Sequence, residues 1–155
     1  MTAAISPRLS VAALVATRPG YRPRLIYRAR RGGRAGRKGF TENDYARLLD
    51  AAHQQLGGPI VLVWDNLNTH TSAAMAELIA ARPWLTVFRL PPYAHELNPV
   101  EPVWSHLKRS LANLAKHTIG ELTALVKARL KRMQYRPGLL AGFLASTGLD
   151  LGSSV

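Results

Sequence analysis

The stretch Pro59-Ile60-Val61-Leu62-Val63-Trp64-Asp65 decides the fold class of this chain. Residues 60–64 are apolar without alternation, which is typical of a strand covered on both faces in an α/β protein. The apolar run ends at Asp65, and the carboxyl end of such a strand is the sheet edge where α/β proteins place their sites. We therefore predict a buried strand that ends in a functional carboxylate.

The segments around this strand alternate between strand and helix patterns. They predict an antiparallel hairpin of strands 9–16 and 24–28 with a turn at 18–20, and a loop rich in glycine and arginine up to residue 39. A helix capped by Thr41 and Asp44 is expected to end at Gly57. A helix around 73–81 and a strand over 85–90 then complete a β-α-β unit, which predicts parallel pairing.

Two C-terminal helices are expected to close the domain. Trp104, Leu107, Leu111 and Leu114 share one face of the first. Thr118 and Glu121 form a capping box at the start of the second.

Composition points to one domain and a polyanionic partner. The 155 residues are 47% hydrophobic, enough for one core but too few for two. The 21 Lys and Arg outnumber the 9 Asp and Glu, and the net charge of +12 favours nucleic acid as partner. No cysteine is present, so a metal would need oxygen or imidazole ligands, which suits Mg²⁺ or Mn²⁺. Without a signal peptide or an apolar run of membrane length, we expect a cytoplasmic chain, associated with the nucleoid.

Basic residues form two groups in the sequence. The first precedes any acidic residue and comprises Arg8, Arg18, Arg22, Arg24, Arg28, Arg30, Arg31, Arg34, Arg37 and Lys38. The second comprises Lys108, Arg109, Lys116, Lys127, Arg129, Lys131, Arg132 and Arg136. Our candidates for DNA contact are Arg28, Arg30, Arg31, Arg34, Arg37, Lys38, Lys108 and Arg109. The alternative for residues 30–38 is a solvated arm without a partner.

A second carboxylate, Glu101, follows Asp65 after thirty-five intervening residues. It stands in Leu97-Asn98-Pro99-Val100-Glu101, where a helix is expected to begin. A carboxylate on a strand end and another on a later helix can share a divalent cation for phosphoryl transfer. The pair predicts a metal site, with the two carboxylates within about 4–8 Å of each other.

The motifs resemble a known family. Val63-Trp64-Asp65-Asn66-Leu67-Asn68-Thr69-His70, Leu90-Pro91-Pro92-Tyr93 and Leu97-Asn98-Pro99-Val100-Glu101, followed by Trp104 and Lys108, closely resemble bacterial insertion-sequence transposases of the six-thirty group. These belong to the mariner-like superfamily of DDE transposases. The resemblance implies a ribonuclease H-like α/β fold, a mixed five-stranded sheet with helices on both faces. It also implies three carboxylates that hold two divalent ions for DNA cleavage and strand transfer, with Asp65 as the second carboxylate and Glu101 as the third.

The first carboxylate of that family has no counterpart in this chain. The family carries it on a strand before the hairpin, yet the first acidic residue here is Glu42. We therefore expect residues 1–148 to be a partial catalytic domain without the first strand, residues 149–155 to be a tail, and the chain alone to be inactive. The alternatives are a DNA-binding remnant without chemistry and an inert product. Expected partners are DNA and either an upstream transposase fragment or a second copy, with no membrane.

Each site residue also has a structural alternative. Asp65 can form an Asx turn or cap the next helix, and Asn66 and Asn68 can be plain turn residues. His70 is expected to contact neighbouring polar groups beside the site rather than the reacting atoms. Asn66, Asn68, His70 and Asn98 are therefore predicted to support the two carboxylates.

The start of the helix at Glu101 has alternatives of its own. With Asn98 as N-cap and Pro99 at the first helical position, Glu101 would complete a capping box. Pro102 instead predicts an irregular start, or a start only at Pro102. Trp104 fits core packing better than base stacking.

Overall fold

The structure is a computed structural model that describes residues 8–32, 40–111 and 118–148. The strands in this part of the chain are β1 (Arg8–Ala16), β2 (Arg24–Gly32), β3 (Ile60–Trp64) and β4 (Leu85–Arg89). The helices are α1 (Glu42–Leu56), α2 (Asn68–Thr71), α3 (Ala73–Ala80), α4 (Val100–Leu111), α5 (Ile119–Gln134) and α6 (Pro137–Ser146), with a short 3-10 helix at His95–Leu97 before α4.

The first two strands form the predicted antiparallel hairpin. The turn between them is closed by the N–H of Tyr21, which donates to the carbonyl oxygen of Arg18 at 3.0 Å. Gly20 adopts a φ of 83°, a left-handed conformation that glycine takes without strain. Pairing runs along all of β1, so β2 extends to Gly32 rather than ending at Arg28. The predicted loop therefore begins later than expected.

Helix α1 begins and ends where the sequence predicts. The hydroxyl of Thr41 accepts the N–H of Asp44, and the Asp44 carboxylate accepts the N–H of Thr41 at 2.9 Å, which completes a capping box. At the other end, the N–H of Gly57 donates to the carbonyl oxygen of His53 at 2.9 Å. Gly57 has a φ of 70°, the left-handed conformation that ends many helices.

Strands β3 and β4 pair in parallel, as the β-α-β pattern predicts. One face of β3 is buried, with Leu62 and Trp64 packed against α1 and α3. The other face is open, because Val61 is 66% exposed and Val63 is 44% exposed. The prediction that β3 is covered on both faces is therefore wrong for the described part of the chain. An unbroken apolar run does not say which of its faces another element covers.

The two strand pairs are separate sheets that share α1. The described strands give one sheet of β1 and β2 and another of β3 and β4. Two apolar clusters lie between α1 and the strands, one around Leu48 and the other around Leu49. Leu14 of β1 and Ile60 of β3 pack in both clusters, so β1 and β3 are the neighbouring strands of the two sheets. Each has one edge without a strand partner among the described residues. A continuous mixed sheet is therefore not formed in this part of the chain.

In the described part of the chain, three helices rather than the predicted two cover the other face of the hairpin. Helices α4, α5 and α6 pack on β1 and β2 through a cluster that includes Val103, Leu130 and Leu140. The pairs Leu139-Leu140 and Phe143-Leu144 after Pro137 were the sequence signal for α6, and the prediction overlooked it. Trp104 packs partly buried against this cluster, in agreement with the core prediction. No helix in the described ranges is long and apolar enough to cross a membrane.

Candidate active site

Asp65 directly follows β3, and its backbone is fixed by the neighbouring strand end. The N–H of Leu90 donates to the carbonyl oxygen of Trp64 at 2.8 Å, which extends the β3–β4 pairing to the sheet edge. The N–H of Leu67 donates to Oδ1 of Asp65 at 3.1 Å, so Asp65 forms the Asx turn that was its structural alternative. This contact uses one carboxylate oxygen only.

His70 binds the same carboxylate oxygen. Its Nδ1 lies 2.9 Å from Oδ1 of Asp65 and 3.3 Å from the Asp65 carbonyl oxygen. Burial lowers the pKa of His70, although Asp65 acts in the opposite direction, so the ring is neutral near pH 7. A neutral ring that faces a carboxylate through Nδ1 carries its proton there and donates it. His70 therefore holds Oδ1 of Asp65 in place.

Two aromatic rings hold His70. The ring stacks on Trp64 with centroids 3.9 Å apart and an interplanar angle of 3°. Tyr45 of α1 meets it edge-on at 4.8 Å. Tyr45 was not among the site residues predicted from the sequence. No sequence signal linked it to His70, because the packing of α1 against β3 brings the two residues together.

The second oxygen of Asp65 is available to a ligand. Oδ2 has no hydrogen-bond partner in the described part of the chain, and the side chain is 47% exposed. With Oδ1 held by His70 and Leu67, the carboxylate is presented in a fixed orientation with one oxygen toward solvent. This is the arrangement that a monodentate carboxylate ligand of a hard cation requires.

Of the other predicted support residues, Asn66 and Asn98 have defined contacts. The Asn66 amide donates to the carbonyl oxygen of Leu90 at 2.9 Å and so links the ends of β3 and β4. Asn98 Oδ1 accepts the N–H of Val100 at 3.1 Å, at the start of α4. Asn68 is the first residue of α2, and its side chain lies outside what the structure describes.

Glu101 lies in the first turn of α4, where its carboxylate has no hydrogen bond or ion pair among the described residues. The predicted capping box through Glu101 is therefore absent there, and Asn98 caps the helix by itself. The helix begins at Val100 rather than at Pro102. Pro102 fits because the first four N–H groups of a helix have no partner within the helix, so the missing one is not needed.

The structure brings Asp65, Asn66 and His70 together, while Glu101 is on α4, which packs on the hairpin. In the described ranges, no three His, Cys, Asp or Glu residues are grouped so that they could hold a metal ion. The predicted approach of the Asp65 and Glu101 carboxylates stays a prediction.

The acidic residues before Asp65 are all occupied elsewhere. Asp44 pairs with Arg30. Asp50 receives two hydrogen bonds from Arg82, at 2.7 and 2.9 Å. The hydroxyl of Ser72 donates to Glu42 at 3.2 Å. Each of these three carboxylates therefore has a partner other than Asp65, and none of them belongs to a group of three potential metal ligands in the described ranges.

The predicted DNA-contact residues have different surroundings. Lys108 and Arg109 are exposed on α4, and Arg28 and Arg31 are exposed on β2. Arg30 lies in β2, where its guanidinium pairs with Asp44 of α1, so the structure gives it a role in docking α1. The remaining three, Arg34, Arg37 and Lys38, lie outside the described residues.

Residues 37–125 match the sequence profile of the DDE superfamily endonucleases, and the chain belongs to this family. The matched range includes Asp65, His70 and Glu101. No curated protein matches the sequence.

Solved structures of Mos1 transposase share the fold. The catalytic domain of Mos1 mariner transposase has a TM-score of 0.54 at 12% identity, over 93% of this chain and 83% of that chain. The Mos1 catalytic domain with raltegravir and Mn has a TM-score of 0.54 at 13% identity, over 93% and 84%. In the Mos1 paired-end complex with the left transposon end, the match has a TM-score of 0.53 at 12% identity and covers 95% of this chain and 56% of that chain. The predicted ribonuclease H-like α/β fold is thus confirmed.

Proposed function

We propose that this chain is the catalytic portion of a transposase of the six-thirty group, which cleaves and joins DNA when a bacterial insertion sequence moves. The observation that carries the proposal is Asp65, whose Oδ1 is fixed by His70 while Oδ2 faces solvent, within a chain of the DDE superfamily endonucleases. The proposed setting is the cytoplasm, at the nucleoid, with DNA as the substrate.

The donor set supports Mg²⁺ or Mn²⁺ but does not complete a two-metal site. Asp65 and Glu101 supply carboxylate oxygens, the ligands that hard cations prefer. Neither carboxylate forms an ion pair with a Lys or Arg side chain in the described ranges. A pair of bound divalent ions would activate water or a DNA 3′ hydroxyl and stabilise the charge on the scissile phosphate. Two carboxylates hold one cation weakly, so we propose that the third carboxylate comes from another polypeptide segment.

The open strand edges favour such a segment. Among the described residues, β1 and β3 each have one edge without a strand partner, and the two strands are neighbours above α1. A strand that paired with β3 in parallel would end at the same sheet edge as Asp65, where its last side chain would stand beside the Asp65 carboxylate. We propose that an upstream transposase fragment supplies this segment, because the described strands of this chain other than β3 do not end at a carboxylate.

A complementation assay tests this proposal. The purified chain is expected to show no strand transfer and at most trace nicking of supercoiled plasmid in Mg²⁺ or Mn²⁺. Adding an N-terminal fragment that ends in a strand with Asp should restore nicking. The restored activity should be lost in Asp65→Ala and Glu101→Ala and kept in Glu77→Ala, which removes an exposed carboxylate on α3 as a matched control.

Two outcomes would count against the proposal. Robust nicking by the chain alone, abolished by Asp65→Ala, would mean that a third ligand lies within the chain, with Asp44, Asp50 and His70 the first to substitute. Failure of complementation, while circular dichroism shows an intact fold, would favour the second candidate function.

That second candidate is a DNA-binding remnant without chemistry, and the charge of +12 favours it. Both candidates predict binding to duplex DNA with little sequence preference, weakening as salt rises because counterions are released. Replacing Arg31, Arg34 and Arg37 should reduce the salt slope, whereas Arg30, which pairs with Asp44, should contribute less. Fluorescence anisotropy at several salt concentrations measures this. A flat salt dependence would contradict both candidates.

A further inference from the structure

A cavity of about 210 Å³ lies between α4 and α5, and neither Asp65 nor any residue of β3 lines it. Its lining consists of His106, Ser110, Arg129, Arg132, Met133 and Arg136, which we call the arginine cavity. His106 and Ser110 are one turn apart on α4, and the other four residues come from the second half of α5 and the residue before α6. None of these residues has a part in the site around Asp65.

The charge of the arginine cavity is not neutralised by the chain around it. Arg129, Arg132 and Arg136 have no ion pair in the described ranges. No acidic residue occurs between Leu122 and Leu149, while five basic residues fall in that interval. Three arginines line this cavity with no carboxylate among the lining residues. Their like charges repel one another, and an anion in the cavity would relieve that repulsion.

The size and lining of the cavity define the anion. A volume of 210 Å³ is below the range of about 300–1,000 Å³ for sites of drug-sized ligands, so a whole nucleotide is too large and a single phosphate group fits. Met133 is 2% exposed and gives an apolar floor, and the His106 ring rests against Phe143 at 6.0 Å. The Ser110 hydroxyl already donates to the carbonyl oxygen of Leu107. Donors to the anion are therefore the guanidinium groups and His106.

The arginine cavity is distinct from the face of α4 that carries Glu101. At 100° per residue, His106 and Ser110 lie about 140° and about 180° around the helix axis from Glu101. Lys108 lies about 20° from Glu101 by the same count, so it belongs to the candidate catalytic face. A phosphate in the cavity would be held on the opposite side of α4 from the scissile phosphate.

We propose that the arginine cavity is a phosphate-binding site, with Arg129, Arg132 and Arg136 as the anchoring donors. The phosphate is carried by the backbone of a DNA segment other than the one at Asp65, or it is free in solution. Guanidinium groups bind phosphate through paired, charge-assisted hydrogen bonds, which suits either source. A role limited to the helix dipole would explain Arg132 in the last turn of α5, but not Arg129 further from the end.

The test compares two double variants of α5 that remove the same charge. Arg129→Gln with Arg132→Gln changes the cavity, while Lys127→Gln with Lys131→Gln changes exposed residues of the same helix outside it. The first arm measures thermal unfolding as inorganic phosphate replaces chloride at constant ionic strength. The second arm measures duplex DNA affinity by anisotropy as a function of salt. Circular dichroism of each variant checks the fold.

Phosphate is expected to raise the Tm of the unaltered chain and of the lysine control. The apparent Kd for inorganic phosphate, taken from these Tm shifts, should be at least about tenfold weaker in the arginine variant. If the phosphate belongs to DNA, the slope of log affinity against log salt concentration should be about 0.9 smaller in the arginine variant, which is the value of one phosphate contact. The slope of the lysine control should change clearly less. If only the effect of inorganic phosphate is lost, the source is free phosphate. Equal behaviour of both double variants in both arms overturns the proposal.

A charge-preserving variant covers the case in which the glutamine variant does not fold. Arg132→Lys keeps the charge at an exposed position but removes the paired hydrogen bonds, so weaker phosphate binding supports a built site and unchanged binding overturns it. Phosphate binding should survive Asp65→Ala. Failure here is therefore separate from failure of the complementation assay.

Discussion

His70→Phe should weaken divalent metal binding at Asp65 while leaving the fold intact. Phenylalanine keeps the stacking on Trp64 but removes the Nδ1 donor that lies 2.9 Å from Oδ1 of Asp65. It also removes Nε2, which is buried without a hydrogen-bond partner in the described chain, so little stability should be lost with it. The change therefore separates the orientation of Asp65 from the packing around it.

The size of the effect follows from the contacts. A hydrogen bond to a charged group contributes about 1.5–3 kcal/mol. Asp65 is 47% exposed, and Leu67 still holds Oδ1 at 3.1 Å, so the lower end applies. A loss of about 1.4 kcal/mol corresponds to about tenfold weaker binding, the lower end of what loss of a supporting contact does to a metal site.

The assay is a Mn²⁺ titration in which electron paramagnetic resonance measures the free ion. The same titration of Asp65→Ala measures how much Mn²⁺ binds at places other than Asp65, and this amount is subtracted. The matched control is His53→Phe, because His53 stacks on Trp84 with the same geometry, at 4.0 Å and 2°, and has no contact with Asp65. Mn²⁺ affinity unchanged in His70→Phe, or lowered equally in His53→Phe, would refute the role of His70 in orienting Asp65.

Three further predictions concern stability and are measured by urea unfolding. The hydrogen bonds from Arg82 lower the pKa of Asp50, so the carboxylate stabilises the fold above the ordinary pKa of 3.8 and the contribution is lost as pH falls through the lowered value. Because Asp50 is 47% exposed, Asp50→Asn should lower the free energy of unfolding by about 0.5 kcal/mol at pH 7. If the difference in free energy of unfolding between the two proteins stays constant down to pH 2, the ion pair with Arg82 is not its cause. Met75 is 0% exposed under β3, so Met75→Ala should lower the free energy of unfolding by about 2–5 kcal/mol, and a loss below about 1 kcal/mol would show a looser core. Thr118→Ala removes the capping box with Glu121 and should lower the free energy of unfolding by about 1 kcal/mol. Thr118→Asn keeps a capping side chain and should lower it much less. Equal decreases in the two variants would rule out a stabilising cap at Thr118.

Local patterns predicted most elements correctly, because they depend on residues near one another in sequence. The capping boxes at Thr41 and Thr118 and the left-handed end at Gly57 gave helix boundaries that the structure confirms. The apolar run before Asp65 predicted β3, and the helix pattern between it and the next strand predicted the parallel pair. The same local signals placed Asp65 at a strand end and Glu101 at a helix start. For the candidate site, the sequence therefore supplied the residues and the elements that carry them.

The sequence by itself determined the α/β class, through strand and helix patterns among nearby residues, and the basic charge, through composition. It also predicted Asp65 and Glu101 as the candidate carboxylates. Only the tertiary structure decided that one face of β3 is open, that Arg30 pairs with Asp44, and that His70 is held between Trp64 and Tyr45 beside Asp65. It also brought the arginines of α5 against α4 to form the arginine cavity. These features depend on how the strands and helices pack against one another, which no periodicity within a single element encodes.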